Sequence, residues 1–247
     1  MFNKRHIVRT IAATASILAL SFTAACGSGQ STASNSTDSD DITQQTYKPG
    51  KLTIATGQPA YEPWVMNDKP ESGEGYEAAV AYAVADKLGF KKSDVVWTRT
   101  AFDTAIAPGA KDWDFNIQQF GITDERKKAV DFSSSYYNDS QSVVVKKDSK
   151  FANATKVSDL KDATVGVMVG TLAYDYAKAN IKDDIQTFND DAALAQALDA
   201  GQIDALVTST VECVYMVQSE QVKDAKVLGR LPDSEDKSGM GIVLPKD

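Results

Sequence analysis

From Lys51 onward the apolar positions switch repeatedly between two spacings. Short continuous runs predict strands, and runs recurring every three to four residues predict helices between them. "KLTIAT" (51–56) predicts a strand, and the turn-rich "GQPAYEPW" after it a loop. Over residues 76–88, Val80, Val84 and Leu88 recur four apart, which predicts a helix buried on that face and closed by Gly89. "DVVWT" predicts a strand, "AFDTAIA" a short helix and "FNIQQF" another strand. In "GITDERKKAVDFSSSYY", Thr123-Asp124-Glu125 predicts a helix start, a hydroxyl cap followed by acids, ahead of a strand-like aromatic run. "SQSVVVKK" predicts a further strand.

The pattern then restarts. "ATVGVMV" predicts a strand ending at Gly170-Thr171, and residues 172–178 a helix. "IQTF" predicts a strand, followed by the helix "DAALAQALDA", capped by Asn189-Asp190 and ended by Gly201. "IDALVTS" predicts a strand and residues 210–218 a helix, with "AKVLG" and "GMGIVLP" as the last strands. Strands alternating with helices twice over imply an α/β protein with two mainly parallel sheets. In such sheets ligands sit beyond the carboxyl ends of strands. Tyr61, Phe102, the segment from Gln119 to Arg126, Gly170-Thr171 and Ser209 fall at such ends. Two lobes with facing strand ends would form a cleft there.

The start of the chain has another character. Lys4, Arg5 and Arg9 precede the apolar run "IAATASILALSF", and small residues lead to Cys26. Residues 1–25 have the layout of a secretory signal, and the run is short for a membrane span. "TAAC" resembles a lipobox, in which Cys26 is lipidated; Thr23 departs from that pattern, and ordinary cleavage beside an incidental cysteine is the alternative. Residues 26–47 are almost free of apolar side chains and predict a flexible tether. Cys213 is the other cysteine, in an apolar stretch that predicts a core position. Removing the three basic residues of the signal takes the net charge from −8 to −11, which argues against nucleic acid as a partner. The one histidine, His6, lies in the signal, so a mature domain has none for a triad or a zinc site. No cofactor or metal is expected.

"KLTIATGQPAYEPWV", "GEGYEAAVAYAVADKLGF", "AFDTAIA", "DFNIQQFGITDERKKAVDFSSSYY", "VGVMVGTLAYDYA" and "GQIDALVTS" stand in an order that resembles the amino-acid-type (family 3) solute-binding proteins of ABC importers. The resemblance runs from about Lys51 to Pro245. It implies a two-lobed, periplasmic-binding-protein-like (type II) fold with lobe 1 at 48–142, lobe 2 at 143–238 and a return strand at 239–247. Hinge strands are implied near Gln141–Val145 and Gly239–Leu244. The implied function is capture of a small polar solute, an amino acid, by hinge closure for an ABC transporter permease. The implied setting is the outer face of the cell membrane, lipid-anchored and monomeric.

Position by position, Arg126 matches the arginine that grips a ligand α-carboxylate, and a guanidinium fork suits that task. Its plainer reading is a surface pair with Asp124, Glu125 or Asp131. Gln119 and Gly121 match positions that hydrogen-bond the ligand. Gly170 and Thr171 match a loop at a helix start that suits a carboxylate, although Gly170 also reads as a simple turn. Tyr61 and Phe102 match aromatic positions that sandwich the ligand, with core packing as their alternative; Trp64 reads as wall or core.

Two departures stand out. Ser209 occupies the position of an ammonium-binding aspartate, so Glu212, one turn on, or Glu62 is expected to substitute, unless the ligand lacks an ammonium. Family members also continue past "VLPKD" into helices completing lobe 1, and these are expected to be missing from a chain ending at Asp247. Competing readings are a dehydratase-like enzyme with Glu212 as general acid, and a truncated relative unable to bind.

Overall fold

The computed structural model describes residues 41–246. The expected signal (1–25) and Cys26 lie outside the described residues, as does most of the expected tether. Its last residues do not behave as a free spacer. Asp41 accepts from the Thr43 N–H at 3.0 Å and caps a 3-10 turn, Ile42–Gln44, and the Tyr47 N–H donates to Asp114 at 2.5 Å. Among the described residues no helix is long and apolar enough to cross a membrane.

In chain order the first half forms β1 (Leu52–Thr56), α1 (Tyr76–Lys87), β2 (Val95–Arg99), α2 (Phe102–Ile106), β3 (Phe115–Asn116) and β4 (Asp131–Tyr137). The second half forms β5 (Gln141–Lys146), β6 (Val165–Met168), α3 (Leu172–Asn180), β7 (Gln186–Phe188), α4 (Asp191–Asp199), β8 (Ala205–Ser209), α5 (Thr210–Gln218), β9 (Ala225–Arg230) and β10 (Met240–Leu244). They build two five-stranded sheets, β2-β1-β3-β10-β4 and β7-β6-β8-β5-β9.

Both sheets are more mixed than the strand–helix alternation predicts. In each, three strands pair in parallel, while β10 runs antiparallel to β3 and β4, and β5 antiparallel to β8 and β9. The reason is the connection between the sheets. The chain crosses at 138–140, returns at 231–239, and each crossing feeds an inner strand that runs against the parallel set.

The inner strands are buried on both faces, as a sheet covered on two sides requires. In the second sheet Val143, Val145, Val165, Val167 and Val207 pack with Ala173 and Ala177 of α3. Val144 and Leu206, one residue out of phase, pack with Leu194 and Leu198 of α4 and with Cys213 and Met216 of α5. The Cys213 thiol is buried, and that burial pushes its pKa well up, in line with a core position.

In the first sheet α1 packs its predicted Val80, Val84 and Leu88 row on the core and adds a deeper row beside it. Ala78, Ala81 and Ala85 are fully buried, while Val80, Val84 and Leu88 flank them half-buried. Alanine puts little bulk between helix and sheet, and the larger residues fill the sides of the helix. The "FNIQQF" strand is short because Gln119 adopts a positive φ of 51°, which breaks the extended chain into a loop. The predicted helix at Thr123 is a single 3-10 turn, Arg126–Lys128, and Thr123 Oγ1 accepts from the Arg126 N–H at 3.1 Å.

Candidate ligand cleft

The carboxyl ends of β1, β3, β6 and β8, which run parallel within their sheets, meet at a cavity of about 660 Å³ measured to its open mouth. The loop after β1 contributes Tyr61, the start of α2 Phe102, and the loop after β3 Gln118, Gln119, Gly121 and Arg126. Across from them stand Met168, Thr171 and Leu172 after β6, Asp191 at the start of α4, and Thr208, Ser209 and Glu212 around the start of α5. The crossings add Asp139 and Asp236.

Arg126 sits on the seam. Its Nη1 donates to the Gly121 carbonyl at 2.7 Å, and its Nη2 reaches across the cleft to the Gly170 carbonyl at 2.9 Å. The guanidinium lies 5.4 Å from the centroid of the Phe102 ring, a cation–π distance. Burial lowers its pKa from the usual arginine value, and the charges of Asp175 and Asp236 oppose that shift. Asp124 and Glu125 pair instead with Lys127 and Lys128, and Asp131 with Lys246. The surface-pair reading of Arg126 therefore has no partner in this geometry. Arg126 is the only basic side chain among the described lining residues.

Of the other expected residues, Phe102 combines core packing with a place at the cavity. It packs on Phe120, with ring centroids 4.6 Å apart, and faces the cavity. Gly121 allows the lobes to approach. A Cβ there would stand 2.6 Å from Leu172 Cδ1 and 2.8 Å from Asp236 Oδ2. Thr171 lines the cavity, but its hydroxyl is engaged, donating to the Met168 carbonyl at 2.7 Å and capping α3. Gly170 is exposed and outside the lining; it takes part through its carbonyl. Trp64 is a buried wall residue, edge-on to Tyr76 and Tyr137.

Gln119 is held from behind. Its N–H donates to Glu77 Oε1 at 2.8 Å, its side-chain amide also donates to Glu77, and the Tyr136 hydroxyl donates to the same carboxylate. Burial pushes the Glu77 pKa up to about 7, against the pull of these hydrogen bonds. Glu77 thus fixes the strained loop whose far side lines the cavity.

Ser209 caps α5, its Oγ accepting from the Glu212 N–H at 3.2 Å. Glu212 is 7 % exposed and accepts from Thr208 Oγ1 at 2.7 Å. Burial, together with the charge of Asp139, raises its pKa over the stabilising effect of its hydrogen bonds. Glu62 does not line the cavity. Its carboxylate accepts from the Asn67 N–H at 2.7 Å and from the Tyr215 hydroxyl, which lower its pKa. Tyr61 projects toward Asp190 and Asp191; burial and then their charges push its phenol up.

Sequence reasoning missed Asp139, Asp191 and Asp236. Asp191 follows the end of β7 by three residues, so the strand-end rule could have found it. Asp139 and Asp236 lie on the crossings, and nothing local marks those as facing a cavity.

Residues 52–207 match the model of a family described as bacterial extracellular solute-binding proteins, family 3. The chain is 28% identical over 214 residues to the L-arginine-binding protein of Pseudomonas aeruginosa, covering 81% of this chain and 76% of that protein. It is 32% identical over 225 residues to the glutamine-binding protein of Geobacillus stearothermophilus, covering 83% and 82%. Among solved structures, an ancestral amino-acid-binding protein described as a precursor of cyclohexadienyl dehydratase aligns at 29% identity with a TM-score of 0.67, covering 84% of this chain and 85% of that one.

Proposed function

This chain belongs to family 3 of the bacterial extracellular solute-binding proteins, and from that membership we propose that its cleft captures an α-amino acid for the permease of an ABC importer. Arg126 carries the reading: a partly desolvated guanidinium on the seam between lobes, already held by two carbonyls, keeps N–H groups for a carboxylate. In this reading Tyr61 and Phe102 flank the solute, Gln119, Gly121, Gly170 and Thr171 shape the carboxylate end, and Glu212 beside Ser209 receives the ammonium. Contacts to both lobes favour the closed state, so binding and closure are one equilibrium. A thermal-shift panel of the common amino acids tests it. A rise in midpoint with at least one is expected, and a flat response to all would refute it.

The setting completes the proposal: Cys26 is lipidated, residues 27–40, ahead of the Asp41 cap, tether a monomeric domain to the outer face of the membrane, and the chain turns nothing over. The competing enzyme reading gives Glu212 the role of general acid. Its raised pKa and the dehydratase-precursor relative favour that reading. Recovery of every bound solute chemically unchanged after prolonged incubation decides for binding.

A further inference from the structure

We propose that the captured solute carries a second positive charge, so that the cleft selects dibasic α-amino acids over neutral ones of the same length. This rests on the amino-acid reading and adds a substrate class to it.

Four carboxylates line the cavity against one guanidinium. Asp236 is electrostatically engaged with Arg126, which leaves Asp139, Asp191 and Glu212 at the starts of α4 and α5. These three are close enough to act on one another. The Thr208 hydroxyl serves Glu212 and also faces Asp191, Glu212 raises the Asp191 pKa by its charge, and Asp139 does the same to Glu212. None takes part in an ion pair among the described residues. Asp191 is 6 % exposed, lines the cavity, and its Oδ1 is buried without a hydrogen-bond partner. Asp139 Oδ2 is also buried without a close partner, while the carboxylate faces the Ser209 hydroxyl and the Thr210 and Val211 N–H groups of α5.

An α-amino acid whose carboxylate sits on Arg126 brings one ammonium to this cluster. It can neutralise one carboxylate and leaves Asp191 unpaired in a closed, water-poor space, which is costly. A side-chain ammonium or guanidinium supplies the missing donor. Tyr61, whose phenol lies by Asp190 and Asp191, adds an aromatic ring at the same end. A proton on Asp191 could also neutralise it, and the two cases differ in their response to ligand charge.

Calorimetry on the full domain with isosteric pairs separates them: arginine against citrulline, and lysine against 2-aminoheptanoic acid. The charged member of each pair is expected to bind about 30-fold tighter or more. Asp191→Asn, with its thermal midpoint checked, is expected to erase most of that advantage and to leave citrulline within about threefold of its wild-type affinity. Equal wild-type affinities within each pair would overturn the inference while leaving the amino-acid reading standing. So would equal losses for arginine and citrulline in Asp191→Asn. Binding of none of the four would overturn this inference, while the amino-acid reading falls only if the whole thermal-shift panel is flat.

Discussion

Replacing Arg126 is the sharpest perturbation the cleft offers. Its guanidinium has five N–H donors, and two are engaged with the carbonyls of Gly121 and Gly170. Three donors remain, enough for a fork to a carboxylate. Removing one member of a desolvated, hydrogen-bonded charge pair costs about 2–5 kcal/mol, roughly 30- to 5,000-fold in affinity. Arg126→Ala is expected in that range. Arg126→Lys keeps the charge but not the planar fork, and it also loses one of the two carbonyl anchors, so at least about tenfold is expected. Titration calorimetry with the best ligand of the amino-acid panel reads both variants. Thermal unfolding runs alongside, so that lost affinity is not confused with lost fold. Wild-type affinity in Arg126→Ala, with the fold intact, would refute the carboxylate role and leave Arg126 as a strut between two loops.

Three further outcomes follow from the same geometry. Glu212→Gln should weaken an α-amino acid much more than its des-amino analogue, since only the former places an ammonium beside the buried carboxylate; equal losses would remove Glu212 from the ammonium site. Glu77 has a folded pKa raised from 4.5 to about 7, so the folded state holds that proton more tightly than the unfolded chain. Its contribution is full below 4.5 and lost as pH rises through about 7, and Glu77→Gln should flatten the stability–pH curve by up to about 3 kcal/mol over that window, read from urea midpoints. Finally, Cys26→Ser should release the protein into the medium. Retention at the membrane, together with a wild-type mass lacking acyl chains, would dispose of the tether.

How much of this was legible in the sequence depended on the range of the interaction. The α5 boundaries, the Asp190 cap and the closing role of Gly201 are set by neighbours within one turn, and local pattern predicts them as the structure has them. The α1 pattern showed the Val80, Val84 and Leu88 row, which packs on the core, but not the deeper alanine row beside it, because depth of burial is a property of the helix–sheet pair and not of the helix. The antiparallel strands β5 and β10 look like any other apolar run; their direction comes from a crossing that local pattern does not encode. In the cleft, the strand-end rule reached the residues on parallel strands. It could not reach Asp139 and Asp236, which face the cavity only because two separate crossings lie side by side.

The contacts that join the lobes explain why a solute should matter to closure. Arg126 donates to Gly170, the Tyr215 hydroxyl donates to Glu62, and the missing side chain of Gly121 admits Leu172. Two of these are hydrogen bonds at or near the surface, and each contributes about 1 kcal/mol net, since water replaces it when the lobes part. Against them stand Asp139, Asp191 and Glu212, whose mutual repulsion grows as closure removes water from between them. A solute that pairs Arg126 from one end and the acid cluster from the other converts the repulsive term into an attractive one. It does so only when both lobes contact it, because Arg126 belongs to the first sheet and Asp191 and Glu212 to the second. The charge that sets specificity and the charge that drives closure are thus the same three carboxylates.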